Sequence, residues 1–267
     1  MMRHSRTEYT VTHLLLVLAA IFAVYPLVHV VITSLNFTNS GDLLANYATA
    51  WESGHFASAL LSSALVAIAV VTFTITLVSL AGYAFATMRV PAARIMLAAL
   101  LVGLVLPYEV TVLPLYQMFM SWGLIDTYWA LILPQVALST PLGVFWMMTF
   151  FASVPEEVLE AARLDGASRA QVLRKVLMPV SVPSVATLAT LLFLYTWNEF
   201  LLAIVLVPTN GAVQTAPLAL SFFAGNSRTM DPAITSAAAV LVALPIVLAY
   251  ICLQRRLIRG VVDGAGR

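Results

Sequence analysis

Charged residues are missing from this chain over long intervals, and no other feature constrains its fold as tightly. No Asp, Glu, Lys or Arg occurs between Glu8 and Asp42, between Glu52 and Arg89, between Asp126 and Glu156, or between Asp231 and Arg255. Two further intervals, Arg94 to Asp126 and Lys175 to Arg228, hold one acid each, Glu109 and Glu199. A lipid-crossing helix needs about 20 mostly apolar residues, because each adds about 1.5 Å across a hydrocarbon core about 30 Å thick. The intervals therefore predict six spans, near His13–Leu35, Ser58–Met88, Ile95–Met120, Tyr128–Phe151, Val182–Val207 and Ala233–Leu253. The apolar runs are continuous, without the period-two alternation of a membrane barrel. At 61% hydrophobic and 9% charged residues, neither an ordinary water-soluble globule nor a disordered chain fits.

The count could slip only between Val176 and Ser227, which is long enough for two spans. Pro208-Thr209-Asn210-Gly211 interrupts that stretch, and Ala212–Ser227 is short and carries Gln214, Pro217, Gly225 and Asn226. Charge bias decides for one span. With six spans and an inside N-terminus, every basic residue except Arg228 lies inside, as the positive-inside rule requires. A seventh span would put Arg255, Arg256 and Arg259 on the wrong side. The first segment has the outline of a signal peptide, with Arg3 and Arg6 ahead of Leu14–Val24, but its apolar run continues past Pro26 to Leu35 and reads as a span. The net charge of +1 gives no sign of nucleic acid binding, and the single cysteine, Cys252, permits neither an internal disulfide nor a cysteine-based zinc site.

The longest inside connection, Ala152–Pro179, holds Glu156, Glu157, Glu160, Arg163, Asp165, Arg169, Arg174 and Lys175. It predicts two short helices. Ser153 and Glu156 have capping-box spacing, Pro155 suits a first helical turn, and the glutamates sit at the positive end of the helix dipole. Gly166 supplies the left-handed residue that ends a helix, and Ser168 with Gln171 repeats the capping pattern. Val158, Leu159, Ala161, Ala162 and Leu164 form one apolar stripe, and Val172, Leu173, Val176 and Leu177 the next. Such a segment suits a solvated connector, a helix lying on lipid, or a plug for a protein groove; the bulky wedges and lysine-rich face of lipid-surface helices are absent.

Glu160-Ala161-Ala162, three residues, Gly166, nine residues, then Val176-Leu177-Met178-Pro179 resembles the EAA loop of ABC importer permeases, EAA-x3-G-x9-I-x-L-P. Val176 replaces the Ile and Met178 the Leu. Pro114-Leu115-Tyr116, Gly123-Leu124-Ile125-Asp126-Thr127, Leu131-Ile132-Leu133-Pro134, Trp197-Asn198-Glu199-Phe200 and the stretch Gln254-Arg255-Arg256 through Gly260 are similar to the carbohydrate-uptake permeases of the MalG type, as is the tail Gly260–Ala265 with Val in place of a Leu.

The resemblance implies an all-α, six-span permease domain over residues 1–267, of the MalG/MetI-like type I ABC importer fold, in the bacterial cytoplasmic membrane with both termini cytoplasmic. It implies a coupling role for loop 152–179, with Glu160, Ala161, Ala162, Asp165, Gly166, Ala167 and Pro179 at the contact with a separate ATPase. The implied partners are a second, MalF-like permease subunit, an ATP-binding subunit dimer, an extracytoplasmic sugar-binding protein and the bilayer. The outer segment Thr209–Pro232, with Gln214-Thr215-Ala216-Pro217, resembles the loop that meets the binding protein. The cargo implied is an oligosaccharide, disaccharide or polyol derivative. ATP and Mg belong to the partner ATPase, and no cofactor is expected on this chain.

The residues agree that the chain is not itself the ATPase. Lys175 is the only lysine and follows Leu173-Arg174, so no Walker A loop can form. His4, His13, His29 and His55 have no metal-ligand spacing.

Glu109 and Glu199 are costly against lipid and should face the bundle interior, a partner helix or water. Counted from Ile95 and Val182, both lie about 20–25 Å in, toward the outer half, in reach of Tyr108, Gln117, Tyr195 and Asn198. Two roles are open: a hydrophilic pathway for sugar hydroxyls built around Glu109, Asn198 and Glu199, or interhelical hydrogen bonding. Pro26, Pro107, Pro114, Pro134, Pro141 and Pro245 can each bend a span, Pro107 most suggestively. Trp122, Tyr128 and Trp129 suit an outer aromatic belt. The rival readings are uptake of a glycerol-phosphate-type substrate, for which a basic lining is missing, a proton-coupled carrier, for which internal repeats are missing, and a non-transporting scaffold.

Overall fold

A computed structural model describes the backbone of residues 6–35, 44–225 and 231–265, and side chains of those residues between 9 and 251. Arg3, Arg228 and Arg267 lie outside the described residues, as do the side chains of the Gly260–Ala265 tail. Among the described residues the fold is all-α. In chain order come α1 (Arg6–Ser34), α2 (Ala45–Ser53), α3 (Phe56–Thr87), α4 (Ala93–Val105), a 3-10 turn (Tyr108–Thr111), α5 (Val112–Ser121), α6 (Tyr128–Ala152) and α7 (Glu156–Leu164). They are followed by α8 (Arg169–Gln171), a π-helical stretch (Val172–Leu177), α9 (Met178–Trp197), α10 (Leu201–Leu206), α11 (Ala216–Gly225) and α12 (Pro232–Ala265).

Among the described residues, five helical stretches are long and apolar enough to cross a membrane: Tyr9–Ser34, Phe56–Thr87, Tyr128–Ala152, Arg169–Trp197 and Pro232–Ile251. A bent pair, Ala93–Val105 and Tyr108–Ser121, makes six when taken as one span.

The chain clusters into two compact units, Met1–Ala57 with Ala219–Leu244, and Ser58–Leu218 with Pro245–Arg267. In the first, α1 leaves its apolar side chains outward, with Phe22 85% exposed, as a helix bathed in lipid does. The end of α1 is tied to α2 by the Ser34 and Tyr47 hydroxyls at 2.7 Å and by Asn46 Nδ2 donating to the Ser34 carbonyl.

The second unit carries every candidate site residue. Its α3 and α6 approach so closely that a Cβ on Gly143 would stand 2.7 Å from Val78 Cγ1, and one on Gly82 2.8 Å from the Met148 nitrogen. Small residues at such crossings allow the backbone contact on which membrane helices depend. One buried cluster then joins α3 (Val78, Tyr83), α6 (Val144, Met147, Phe151), α7 (Leu159), the π stretch (Val172, Leu177) and α9 (Leu188, Leu192). The connector between spans is thereby fixed to the spans themselves. Two further clusters pack α3, α6 and α10, and α5, α6 and α10.

Three features differ from the sequence expectation. The third span is not one helix: α4 and the segment from Tyr108 turn by 95° at Leu106-Pro107. Proline lacks an N–H and pushes the residue before it out of the helical region, and Leu106 accordingly sits at φ −68°, ψ 129°. The fifth span does not run unbroken to Val207; α9 stops at Trp197, and α10 resumes at Leu201. At its other end this span reaches back to Arg169, so the second connector helix is the beginning of the span, joined through the π-helical turn that ends beside Pro179.

Candidate functional site

Two sites emerge in the second unit, one on the connector between α6 and α9 and one at the helix breaks. On the connector, the expected capping box at Ser153 does not form. Ser153 closes α6 instead, its hydroxyl donating to the Phe150 carbonyl at 2.7 Å, and Pro155 occupies the N-cap of α7. The second capping box does form: Ser168 Oγ accepts from the Gln171 N–H, and Gln171 Oε1 accepts from the Ser168 N–H at 2.7 Å.

Between these helices lies a tight reversal. Gly166 has φ +79°. Its N–H donates to the Arg163 carbonyl and that of Ala167 to the Ala162 carbonyl, both at 3.0 Å, which is the paired bonding of a Schellman turn. Ala162 and Ala167 pack beneath the turn on the cluster that holds Leu159.

The periodicity of α7 divides its residues cleanly. Leu159 is buried and Ala162 half-buried, so that side faces the spans; Arg163, four residues on from Leu159, is exposed at the edge of that side. Glu157, Glu160, Ala161 and Leu164 are exposed, Leu164 at 89%. Asp165 and Gly166 are exposed at the turn, and Pro179 is exposed near the start of α9. A leucine left open between two carboxylates and a small residue is a surface built for contact.

The second site is a cleft of about 800 Å³ lined by the two helix breaks. Pro107, Tyr108 and Glu109 come from the break after α4, and Tyr195, Thr196, Asn198 and Glu199 from the break after α9. Gln135, Ser139 and Leu142 of α6 complete it. Glu109, Asn198 and Glu199 therefore meet, together with Tyr108 and Tyr195; Gln117 is not part of the lining, and Gln135 was missed as a lining residue. Non-helical backbone survives at membrane depth only where it lines a cavity or is buried in protein, and the acids sit where that requirement arises.

Asn198 and Glu199 answer it directly. Asn198 Nδ2 donates to the Leu194 carbonyl at 2.7 Å, closing the end of α9. Glu199 Oε1 accepts from the Leu202 N–H at 2.8 Å, opening α10. The Glu199 bond stands in for a helical bond lost at the break, while the Leu194 carbonyl accepts from the Asn198 N–H as well, at 3.2 Å. Glu109 is exposed within the cleft.

At the far end of α6 a third constellation joins two loops. Asp126, at φ +62°, accepts from the Thr209 hydroxyl and N–H and from the Asn210 N–H, while its own N–H donates to the Leu206 carbonyl. Burial acts on its carboxyl in the upward direction, but the bonds from Thr209 and Asn210 outweigh it and hold the group below the ordinary aspartate range. Tyr128 is part of this frame, its hydroxyl 3.0 Å from Ser62 Oγ and donating to the Ala212 carbonyl. Trp122 and Trp129 are exposed, as belt residues are.

Residues 78–263 match the family described as binding-protein-dependent transport system inner membrane component. A trehalose transport system permease protein of Mycobacterium tuberculosis is 34% identical over 221 residues, which cover 82% of this chain and 80% of that one. A diacetylchitobiose uptake system permease protein of Streptomyces coelicolor is 29% identical, covering 96% of this chain and 88% of its own. Among solved structures, a chain from a bacterial ABC transporter involved in the import of the acidic polysaccharide alginate superposes with a TM-score of 0.78, covering 96% of this chain and 99% of that chain at 20% identity. At that identity the likeness concerns the fold.

Proposed function

Since the chain belongs to the family of binding-protein-dependent transport system inner membrane components, we propose that it is the permease subunit of an ATP-driven importer for a carbohydrate. It works beside a second permease subunit, receives sugar from an extracytoplasmic binding protein, and is moved by a separate ATP-hydrolysing subunit. The relatives transport trehalose and take up diacetylchitobiose by their names, which favours a sugar over a glycerol-phosphate-type cargo.

The observation that carries this reading is the division of α7. Its inner side is anchored through Leu159 to the cluster that includes α3, α6 and α9, and its outer side presents Glu157, Glu160, Ala161 and Leu164 to a partner. A push on the outer side is delivered to the spans without slack, because the Schellman turn at Gly166 and the capping box at Ser168 leave no free hinge before α9. The π-helical Val172–Leu177 joins that turn to α9, and such π turns gather at functional sites.

Arg89, Arg163 and Arg169, from the connections that follow α3 and α6, line one cleft at the α7 end of the spans, which supports a cytoplasmic position for that end and an outer position for the Asp126–Thr209 frame. The polar cleft between the breaks offers carboxylates, tyrosines and an amide to sugar hydroxyls, with Asn198 and Glu199 shaping the break and Glu109, Tyr195, Gln135 and Ser139 facing the path. Among the described residues no Arg or Lys lines it, as suits a neutral cargo. The test is disulfide cross-linking in the assembled complex: a cysteine at Glu160 or Leu164 should be captured by cysteines on the ATPase surface, and a cysteine at Leu159 should not. Equal capture at Leu159 contradicts the assignment.

A further inference from the structure

A second cleft, of about 670 Å³, lies beside the anchored side of α7, and the transport reading uses its charge for orientation but gives it no ligand. Its walls come from the end of α3 and the loop after it (Tyr83, Thr87, Met88, Arg89, Val90, Pro91), from Arg163 near the end of α7, and from Arg169 at the start of α8. Three guanidinium groups thus share one recess whose lining, among the described residues, holds no acid. We propose that this recess is a site for a phosphate-bearing anion, filled in the membrane by the headgroup of an anionic phospholipid.

The three arginines are exposed, and a recess that gathers their charge attracts an anion. Guanidinium groups are planar forks of donors matched to phosphate oxygens and stay ionised at any physiological pH. The position favours lipid as the source. Thr87 is the last residue of the α3 span and Ala93 the first of α4, so the loop carrying Arg89 lies where a bilayer presents its headgroups, and Met88, Val90 and Pro91 offer an apolar floor for a glycerol backbone. Basic recesses between spans on the cytoplasmic side are where anionic headgroups collect.

The alternative source of negative charge, a carboxylate on the ATPase, fits less well. Arg163, exposed and one turn on from Leu159, opens into the recess with Tyr83 and Arg89, whereas the face offered to a partner carries Glu160 and Leu164. Placing the anion there would tie α7 to the end of α3 and make the stiffness of the coupling element depend on lipid composition. The inference rests on the orientation proposed above for its physiological setting, but the binding itself does not depend on which face is inside.

The complete transporter, purified in detergent, is tested for retention of phosphatidylglycerol against phosphatidylcholine by native mass spectrometry, with inorganic phosphate as a separate probe. Each arginine removed should weaken phosphatidylglycerol binding about fivefold, and the triple variant R89Q/R163Q/R169Q about a hundredfold. Arg94→Gln, outside the cleft, serves as control and should bind as wild type. The triple lysine variant should recover part of the loss, which separates charge from folding. If inorganic phosphate binds in an arginine-dependent way while phosphatidylglycerol shows no preference, the site stands with free phosphate as its source. Unchanged binding of both probes in the triple glutamine variant overturns the proposal, as does loss of the ATPase subunit from that variant with lipid retention intact. Accessibility of a cysteine at Ser168 from either side of sealed vesicles tests the orientation independently.

Discussion

Replacing Gly166 perturbs the coupling element at a single torsion. Its φ of +79° is open to glycine and strained for other residues, and nothing lies within 4 Å of the place a Cβ would take. Gly166→Ala therefore introduces no clash; it adds only the left-handed penalty, about 1–2 kcal/mol, equivalent to a factor of about 5–30 in the population of the turn. Asparagine tolerates this region better and should cost less. Gly166→Pro goes further, because a ring locked near φ −65° cannot adopt the turn at all and the N–H donated to Arg163 is lost. Sugar-stimulated ATP hydrolysis of the assembled, reconstituted complex should fall in the order Gly, Asn, Ala, Pro, with the proline variant uncoupled yet inserted in the membrane. Gly123 gives the matched control: its φ is +68° and its surroundings are equally empty, but it lies at the other end of α6, about 37 Å away along that helix. Gly123→Ala should lose comparable thermal stability and keep its coupling. A proline variant at 166 that still hydrolyses ATP at the wild-type, sugar-stimulated rate would refute the reasoning.

Other positions give sharper structural readouts. Gly143→Leu drives a side chain into Val78 and should destabilise the second unit by about 1–3 kcal/mol, read as an earlier thermal unfolding transition in detergent. Glu199→Ala removes the acceptor for the Leu202 N–H and should cost about 1 kcal/mol of stability, whereas Glu199→Gln keeps an acceptor and should leave stability near wild type while altering sugar transport. Unchanged transport in both variants would assign Glu199 to the helix break alone. Asp126 has its folded-state value depressed, so its contribution is complete above the ordinary aspartate value of about 4 and is lost as pH falls through the lower folded value; wild type should therefore be more stable than Asp126→Ala above that range, lose the advantage as pH falls, and converge with it below.

The spans were legible because hydrocarbon tolerates so few charges, and a charge-free interval is a statement about solvent more than about local propensity. The Gly166 turn and the Ser168–Gln171 box were legible for another reason: both depend on residues whose backbone or side-chain chemistry acts within three or four positions. The capping box at Ser153 failed because the same hydroxyl had a competing carbonyl, Phe150, one turn back, and α6 took it. The bend at Pro107 was foreseeable as a kink but not as a right-angled break, since its size depends on how the freed groups are satisfied by the cleft. The interruption at Asn198–Phe200 carried no proline to mark it. Its only trace in the sequence is an amide followed by a carboxylate inside an apolar run, a pair that suits a pathway or interhelical hydrogen bonding equally and does not reveal the bonds to Leu194 and Leu202. Gln135 was missed because it sits on a helix that otherwise buries its face.

The central claim is that this chain is moved by a separate ATPase through the outer face of α7 and carries no energy source of its own. Sealed proteoliposomes holding either this chain alone or the complete complex, each supplied with binding protein and radiolabelled sugar, test it most directly. The account predicts ATP-dependent accumulation by the complex and none by the single chain, with or without an imposed proton gradient. Accumulation by the single chain would contradict it.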